Sequence, residues 1–272
     1  MNRHIQSMMR ELSLHGRIEI LKHLMDGAMT LSELTKKVGC LPTSTISRSL
    51  KILNDCCMVK KNGNKFELTG IGYLIADYLS NVEQILPLWE YICDAGEFMK
   101  ILPTELKPGL VYLCDAEIEP DPYAAMMKAF EDIKKANRYG KYITKIVSYE
   151  INIYMIERNI KGVHDYVIFY PDLLEKNIKV TAQAVKDVIG NTDIPIDELR
   201  RLINSDLKVL NLPFQLGIID GKVIYLQMSQ AENAPFFISR DKKCVEWGEK
   251  IFDYFWEIAE PVDLAAELKR YL

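Results

Sequence analysis

Within residues 14–68, three helical segments, each with its own stop, lead into two short strand segments around an Asn-Gly turn, and few small folds take that order. Leu14, Ile18, Leu21 and Met25 recur at helical spacing and end at Asp26-Gly27. Thr30 and Glu33 make a T-x-x-E capping box, in which each side chain satisfies an orphan backbone N–H of the helix start. Leu31, Leu34 and Val38 face inward, and Gly39 can close this second helix in the left-handed conformation. After Cys40-Leu41-Pro42, Thr43 or Ser44 is predicted to cap a third helix over residues 44–55, with Ile46, Leu50 and Leu53 as its apolar stripe. Residues 58–61 and 64–68 then read as strands around Asn62-Gly63, a pair suited to a type I′ turn because both central positions need positive φ.

The third helix decides what the module can touch. Its outer face carries Ser44, Thr45, Ser47, Arg48 and Lys51, with no acid before Asp55. A solvated helix ordinarily mixes signs; short hydroxyls with two cations suit phosphates and base edges. Lys60, Lys61 and Lys65 flank the turn, as in a hairpin lying along a phosphate backbone. The predicted contacts to double-stranded DNA are therefore Thr43, Ser44, Thr45, Ser47, Arg48 and Lys51 on the helix, with Lys60, Lys61, Asn62, Asn64 and Lys65 on the hairpin. The competing reading is a plain amphipathic helix in a three-helix bundle.

Charge follows the same division. The 272-residue chain carries a formal −4, yet residues 1–80 hold eleven Lys or Arg, Arg3 included, against seven acids, and the remainder carries −8. A basic segment on an acidic body fits a polyanion-binding module. A hydrophobic fraction of 49% and a charged fraction of 26% are those of an ordinary globular protein, of about two domains at this length. No apolar run opens the chain at Met1-Asn2-Arg3-His4-Ile5 and none approaches a membrane span, so a cytoplasmic protein without a targeting segment is expected. The six cysteines (40, 56, 57, 93, 114 and 244) form no C-x-x-C pair and, with four histidines, assemble no zinc spacing. Reduced thiols, no metal and no cofactor are expected.

The runs Thr30-Leu31-Ser32-Glu33-Leu34, Ser44-Thr45-Ile46-Ser47-Arg48-Ser49-Leu50-Lys51-Ile52-Leu53, Met58-Val59 and Leu68-Thr69 resemble the ArsR-type winged helix. The resemblance implies a winged helix-turn-helix over residues 1–80. That family usually has Gly at the position of Cys57, and its metal-sensing members carry a Cys-x-Cys pair that is missing here, so metal sensing does not carry over.

Thr69 is predicted to cap a long helix with apolar residues at 71, 74, 75, 78, 79, 82, 85 and 86, stopped by Pro87. This stripe exceeds what one small module can bury. Packing against a second copy through Ile71, Leu74, Ile75, Tyr78, Leu79 and Val82 is the preferred reading, and packing on the chain's own C-terminal domain is the alternative. Residues 81–108 are read as a helical connector and dimerisation segment.

From about residue 109 the pattern becomes that of an α/β domain with a mixed sheet. Strands are predicted at 110–114, 142–149, 164–170, 207–210, 214–219, 222–228 and 235–238, and helices at 122–135, 150–158, 173–188 and 242–260. Asp220-Gly221 is a hairpin turn. Strand 143–147, a helix and strand 167–169 form a βαβ unit, and ligands bind such sheets beyond the strands' carboxyl ends. A small-molecule effector, polar or anionic, is accordingly expected near Ser148, Tyr149, Tyr170 and Phe214. No G-x-S-x-G, Walker loop, G-x-G-x-x-G or H-E-x-x-H occurs, so no enzyme is expected. His164 reads as structural, Glu117, Glu119 and Asp121 as a solvated loop, and Trp89, Trp247 and Trp256 as core.

Leu212-Pro213-Phe214, Leu216-Gly217-Ile218-Ile219-Asp220-Gly221 and the segment from Val245-Glu246-Trp247-Gly248 to Ala259-Glu260-Pro261-Val262 resemble archaeal winged-helix regulators with the methanogenesis-regulator middle domain. The resemblance implies a DNA-binding head and an effector domain related to a phospholipase-D-like α/β fold, as in the sugar-sensing TrmB regulators. The phospholipase signature H-x-K-x4-D is absent, since Asp165-Tyr166 follows His164. The sequence thus points to a dimeric transcriptional regulator reading the major groove and modulated through its C-terminal domain. The rival is an enzyme or protein-interaction adaptor whose winged helix binds no DNA.

Overall fold

A computed structural model describes residues 8–14, 16–190, 194–231 and 233–272. Arg3 and the chain start read above for a targeting segment lie outside these residues. The chain divides into two compact units, Met1–Leu86 and Pro87–Leu272. The segment 81–108 is shared between them and forms no separate connector.

In the N-terminal unit, α1 (Arg17–Met25) presents Arg17, Ile20, Leu21 and Leu24 to the core. This stripe is one step off the expected one: Leu14 and Met25 are exposed, and Leu14 lies outside the helix. β1 (Met29–Thr30) leads into α2 (Leu31–Val38), whose capping box forms as expected. Gly39 has φ 67° and ends α2. α3 (Thr43–Asp55) buries Ile46, Ser49, Leu50 and Leu53. It ends in a Schellman arrangement, with Cys57 N–H donating to Asn54 O and Met58 N–H to Leu53 O. Cys57 takes φ 58° there, so the chain keeps the left-handed turn without the glycine that eases it.

β2 (Val59–Asn62) and β3 (Lys65–Leu68) form the hairpin, and β1 pairs with the far side of β3 to give the order β1-β3-β2. Asn62 pairs with Lys65, so Gly63 and Asn64 are the central turn residues. Only Gly63 has positive φ (62°), and the turn is of II′ rather than the expected I′ character. α4 (Gly70–Ile85) starts at Thr69, whose hydroxyl accepts from Gly72 N–H at 3.1 Å. A Cβ on Gly72 would stand 1.9 Å from Met58 O, which is why α4 can seat on the hairpin base.

The C-terminal unit opens with α5 (Trp89–Cys93), α6 (Gly96–Ile101) and a 3-10 turn, Lys107–Leu113. That turn replaces the strand expected at 110–114: Pro108 occupies its first turn, and Gly109 lies where a Cβ would strike the Trp247 ring. β4 (Glu117–Glu119), α7 (Pro122–Lys135), β5 (Tyr139–Thr144), α8 (Tyr149–Ile160), β6 (His164–Phe169), α9 (Leu174–Ile189), α10 (Ile196–Leu202), β7 (Ser205–Val209), β8 (Gln215–Ile219), β9 (Val223–Gln227), β10 (Phe236–Ser239), α11 (Lys242–Ile258), β11 (Glu260–Val262) and α12 (Leu264–Lys269) follow. The sheet runs β11-β7-β6-β5-β8-β9-β10-β4, with β5, β6 and β7 parallel and the remaining pairs antiparallel.

The βαβ unit is therefore β5-α8-β6, but β5 ends at Thr144 and Tyr149 already belongs to α8, against an expected strand to 149. Side chains alternate across the sheet. Ile219, Val223 and Tyr225 join the cluster under α7, whereas Ile218 and Ile224 lie beneath Gly248 of α11. Helices thus cover both faces. Asp220 (φ 55°) and Gly221 (φ 66°) form the β8–β9 turn, closed by Lys222 N–H to Ile219 O. Glu117 and Glu119 belong to the edge strand β4, and Lys128 holds them at 2.5 and 2.6 Å, so they are not a free loop. No helix among the described residues is long and apolar enough to cross a membrane.

Candidate nucleic-acid interface

A helix start leaves its first N–H groups without intrahelical partners, and a side-chain cap normally takes one of them. α3 has none: Pro42 occupies the cap position, no side chain accepts from the first turn, and no acid lies in it. Thr43 and Ser44, expected to cap, are instead the first helical residues, and their hydroxyls stay available. Thr43, Ser44, Ser47, Arg48 and Lys51 are exposed and Thr45 half-buried, while Ile46, Leu50 and Leu53 anchor the opposite face. The structure therefore presents one rigid face bearing hydroxyls, two cations and the positive end of the helix dipole. That combination attracts phosphate.

The hairpin adds Lys60, Lys61, Asn62, Asn64 and Lys65, all exposed. Strand alternation separates them: Lys60 stands across from Glu67 at 3.2 Å, and Lys61 lies 5.8 Å from the centre of the Phe66 ring. Arg48, Lys51, Lys61 and Lys65 have no ion-pair partner among the described residues, in contrast with Lys22 and Lys37 of the same unit, paired to Glu83 and Asp26. All eleven residues predicted from the sequence lie on α3 or the hairpin. Sequence reasoning missed the uncapped α3 start; Pro at residue 42, directly before the hydroxyl run, was its signal.

The six residues predicted for dimerisation fall on two faces of α4. Ile75 is 9% exposed in the unit's own core and Leu79 packs against that core, so these two are taken by their own unit. Ile71, Leu74, Tyr78 and Val82 stand out at 45, 51, 64 and 51% exposure. Their spacing of three, four and four residues makes one continuous apolar ridge.

The residues predicted to hold an effector are not gathered around one space. Ser148 caps α8, accepting from Ile151 N–H at 3.3 Å. Tyr149 reaches Asp187 on α9 at 2.6 Å, and this bond raises its pKa. The Tyr170 hydroxyl donates to the carbonyls of Leu212 and Phe214, and burial lifts its pKa to about 12. Phe214 is fully buried, its ring 5.0 Å from Phe98 and 5.3 Å from Phe255.

Other polar groups of this unit are also engaged. His164 contacts Asn204 through Nδ1 at 2.9 Å and Asp206 through Nε2 at 3.0 Å. Arg158 is buried against Asp165 and the Tyr142 hydroxyl, with Asn159 donating to Asp165 at 2.8 Å. Asp220 would be raised by burial, but the backbone N–H groups of Asn137, Arg138 and Tyr139 hold its pKa below the usual carboxylate value. Trp247 is core, with Nε1 donating to Leu106 O at 2.8 Å, and Trp256 stacks on Phe252, but Trp89, also expected inside, is 60% exposed. Among the described residues no group of three His, Cys, Asp or Glu is placed to hold a metal ion.

No curated protein matches the chain. It is similar to TrmBL2, an archaeal chromatin protein whose structure is described as showing a novel mode of DNA binding, at 15% identity and a TM-score of 0.42, covering 87% of this chain and 89% of that one. It is also similar to NucT from Helicobacter pylori, at 14% identity and a TM-score of 0.38 over 54% of this chain and 99% of that one. A third likeness is to the riboflavin-derivative dimethyltransferase RosA from Streptomyces davawensis, at 13% identity and a TM-score of 0.27 over 77% and 65%. At such scores none of the three defines the fold or the function of this chain. In sequence, residues 7–86 match the family model described as the HVO_A0261 N-terminal domain.

Proposed function

We propose that this chain is a DNA-binding transcriptional regulator whose N-terminal unit works as a winged helix-turn-helix. α3 would enter the major groove and the β2–β3 hairpin would lie along the flanking phosphates. The observation that carries the reading is the start of α3 without a side-chain cap, with Arg48 and Lys51 on its exposed face and no ion-pair partner for either among the described residues. The buried stripe Ile46, Leu50 and Leu53 fixes the backbone that carries that face, so binding need not order the helix itself.

The regulator is a homodimer joined through the α4 ridge of Ile71, Leu74, Tyr78 and Val82. Two recognition helices would then stand about one helical turn, roughly 34 Å, apart on a pseudo-palindrome. Its C-terminal unit serves as the effector domain and catalyses no reaction. In support, both ring nitrogens of His164 are already held, by Asn204 and Asp206.

Selection of bound duplexes from fragmented DNA, followed by titration of the best sequence against scrambled duplex and single-stranded RNA, tests the reading. The expected result is a preferred, two-fold related duplex site. Equal binding of all three nucleic acids would contradict it.

A further inference from the structure

On the face of the sheet covered by α7, α8 and α9, packing leaves two adjoining spaces. The larger, about 110 Å³, lies under α8 and α9 and is walled mainly by apolar side chains such as Ile146, Met155, Val167 and Phe169. The smaller, about 80 Å³, continues beneath α7, and Ile133, Tyr142, Thr144 and Ile146 border both. Thr144 and Phe169 end β5 and β6, so the larger space reaches the carboxyl ends of two parallel strands.

Interiors pack at crystal density and seldom leave a void larger than a water molecule. An apolar space holds water weakly, and an engineered apolar cavity of about 150 Å³ accepts benzene. Among the described residues no Lys, Arg or His lines either space, and the one carboxylate at the larger, Asp206, is exposed and turned to His164 at 3.0 Å. A charged guest would be buried there without a partner, at high cost. The polar lining is an ordered relay: Asn152 donates its amide N–H to the Thr181 hydroxyl at 2.9 Å, and Thr181 donates to Asn177 O at 2.8 Å. No donor among the described residues meets the Asn152 amide oxygen.

We propose that these two adjoining spaces together are a binding site for a small uncharged ligand: one aromatic or aliphatic ring system, up to the size of indole, whose hydroxyl or N–H donates to Asn152. The site rests on the effector reading only for its regulatory consequence. It departs from the sequence expectation in place and in chemistry, since Ser148, Tyr149, Tyr170 and Phe214 do not line it and an anion is disfavoured.

The experiment uses the full-length chain with phenol, indole and benzene as probes and citrate as the anionic control, followed by ligand-observed NMR and melting temperature. Phenol and indole should bind and raise the melting temperature while citrate does neither. Val167→Phe, which fills the space, should weaken both by at least about tenfold, a readily resolved 1.4 kcal/mol. Asn152→Leu, at a half-buried position, keeps the space and removes the acceptor, so phenol should lose its advantage over benzene. Failure of every uncharged probe to bind overturns the site, as does unchanged affinity in folded Val167→Phe. Should Val167→Phe not fold, an undiminished advantage of phenol in Asn152→Leu overturns it instead. Indole binding that leaves DNA affinity unaltered supports the site and removes the effector role. An anionic metabolite that shifts DNA affinity, with no uncharged probe bound, overturns the site and keeps that role.

Discussion

On α3, Arg48 and Lys51 stand in solvent with no ion-paired carboxylate among the described residues, whereas in the C-terminal unit Arg158 is buried against Asp165 and Tyr142. The first arrangement contributes little to folding and leaves two charges for a partner. The second has already used its charge inside the fold, where removing one member strands the other. Cation content alone therefore says little about function. What distinguishes Arg48 and Lys51 from Arg158 is whether the cation's partner lies among the described residues of the same chain.

The largest effect is expected at the buried pair. Arg158→Ala leaves the Asp165 carboxylate without its cation in the interior and should cost about 3–5 kcal/mol of stability. Denaturant unfolding followed in the C-terminal unit would show it, and a loss below about 1 kcal/mol would mean the pair is solvated.

At the exposed end the effects fall on binding and spare folding. Replacing Lys60, Lys61 and Lys65 together with Glu should abolish duplex binding and leave the melting temperature nearly unchanged, because exposed charges contribute little to stability. Arg48→Ala should cost about 1–3 kcal/mol of binding and relax preference at one base pair, if its guanidinium pairs with guanine. Competition titration with single-base variants of the selected site measures both.

The helix α4 carries the same contrast in apolar form. Leu74→Glu with Tyr78→Glu should convert a dimer to a monomer in light scattering while circular dichroism shows the unit still folded, whereas Ile75→Glu should unfold the unit, since Ile75 lies in its core. A wild-type protein already monomeric at the concentrations used removes the dimer from the account.

The smallest effect concerns the α3 end. Cys57→Gly should stabilise the N-terminal unit by about 1 kcal/mol, because it relieves a left-handed residue. An unchanged melting temperature would show that the surrounding contacts absorb the strain.

Much of the candidate interface was legible because its signals are local. The Thr30–Glu33 box, the Ile46, Leu50 and Leu53 stripe and the lysines around residue 63 each fix their surroundings within one or two turns of chain. What escaped depends on partners distant in sequence. At the hairpin turn the Asn-Gly dipeptide misleads, because the Asn62–Lys65 pairing sets which residues are central. The stripe of α1 is displaced because Arg17 and Ile20, not Leu14, reach the core. Residues 110–114 look strand-like until Trp247, far along the chain, lies against Gly109. Tyr170 and Phe214 do lie at or beside strand ends, but side-chain alternation turns them inward, and only the sheet register reveals which way each points.

If α3 and the hairpin meet a duplex, binding must fall steeply with salt. Full-length protein and the Arg48→Ala, Lys51→Ala double variant would be titrated with the selected duplex between about 50 and 200 mM salt. Each phosphate neutralised adds about 0.9 to the slope of log K against log salt. The native protein should show a steep slope, and the variant a slope shallower by about one unit as the Lys51 phosphate contact is lost, with weaker binding throughout. Identical affinity and slope for the two proteins would show that duplex DNA is bound elsewhere, and no binding by the native protein would contradict the account outright.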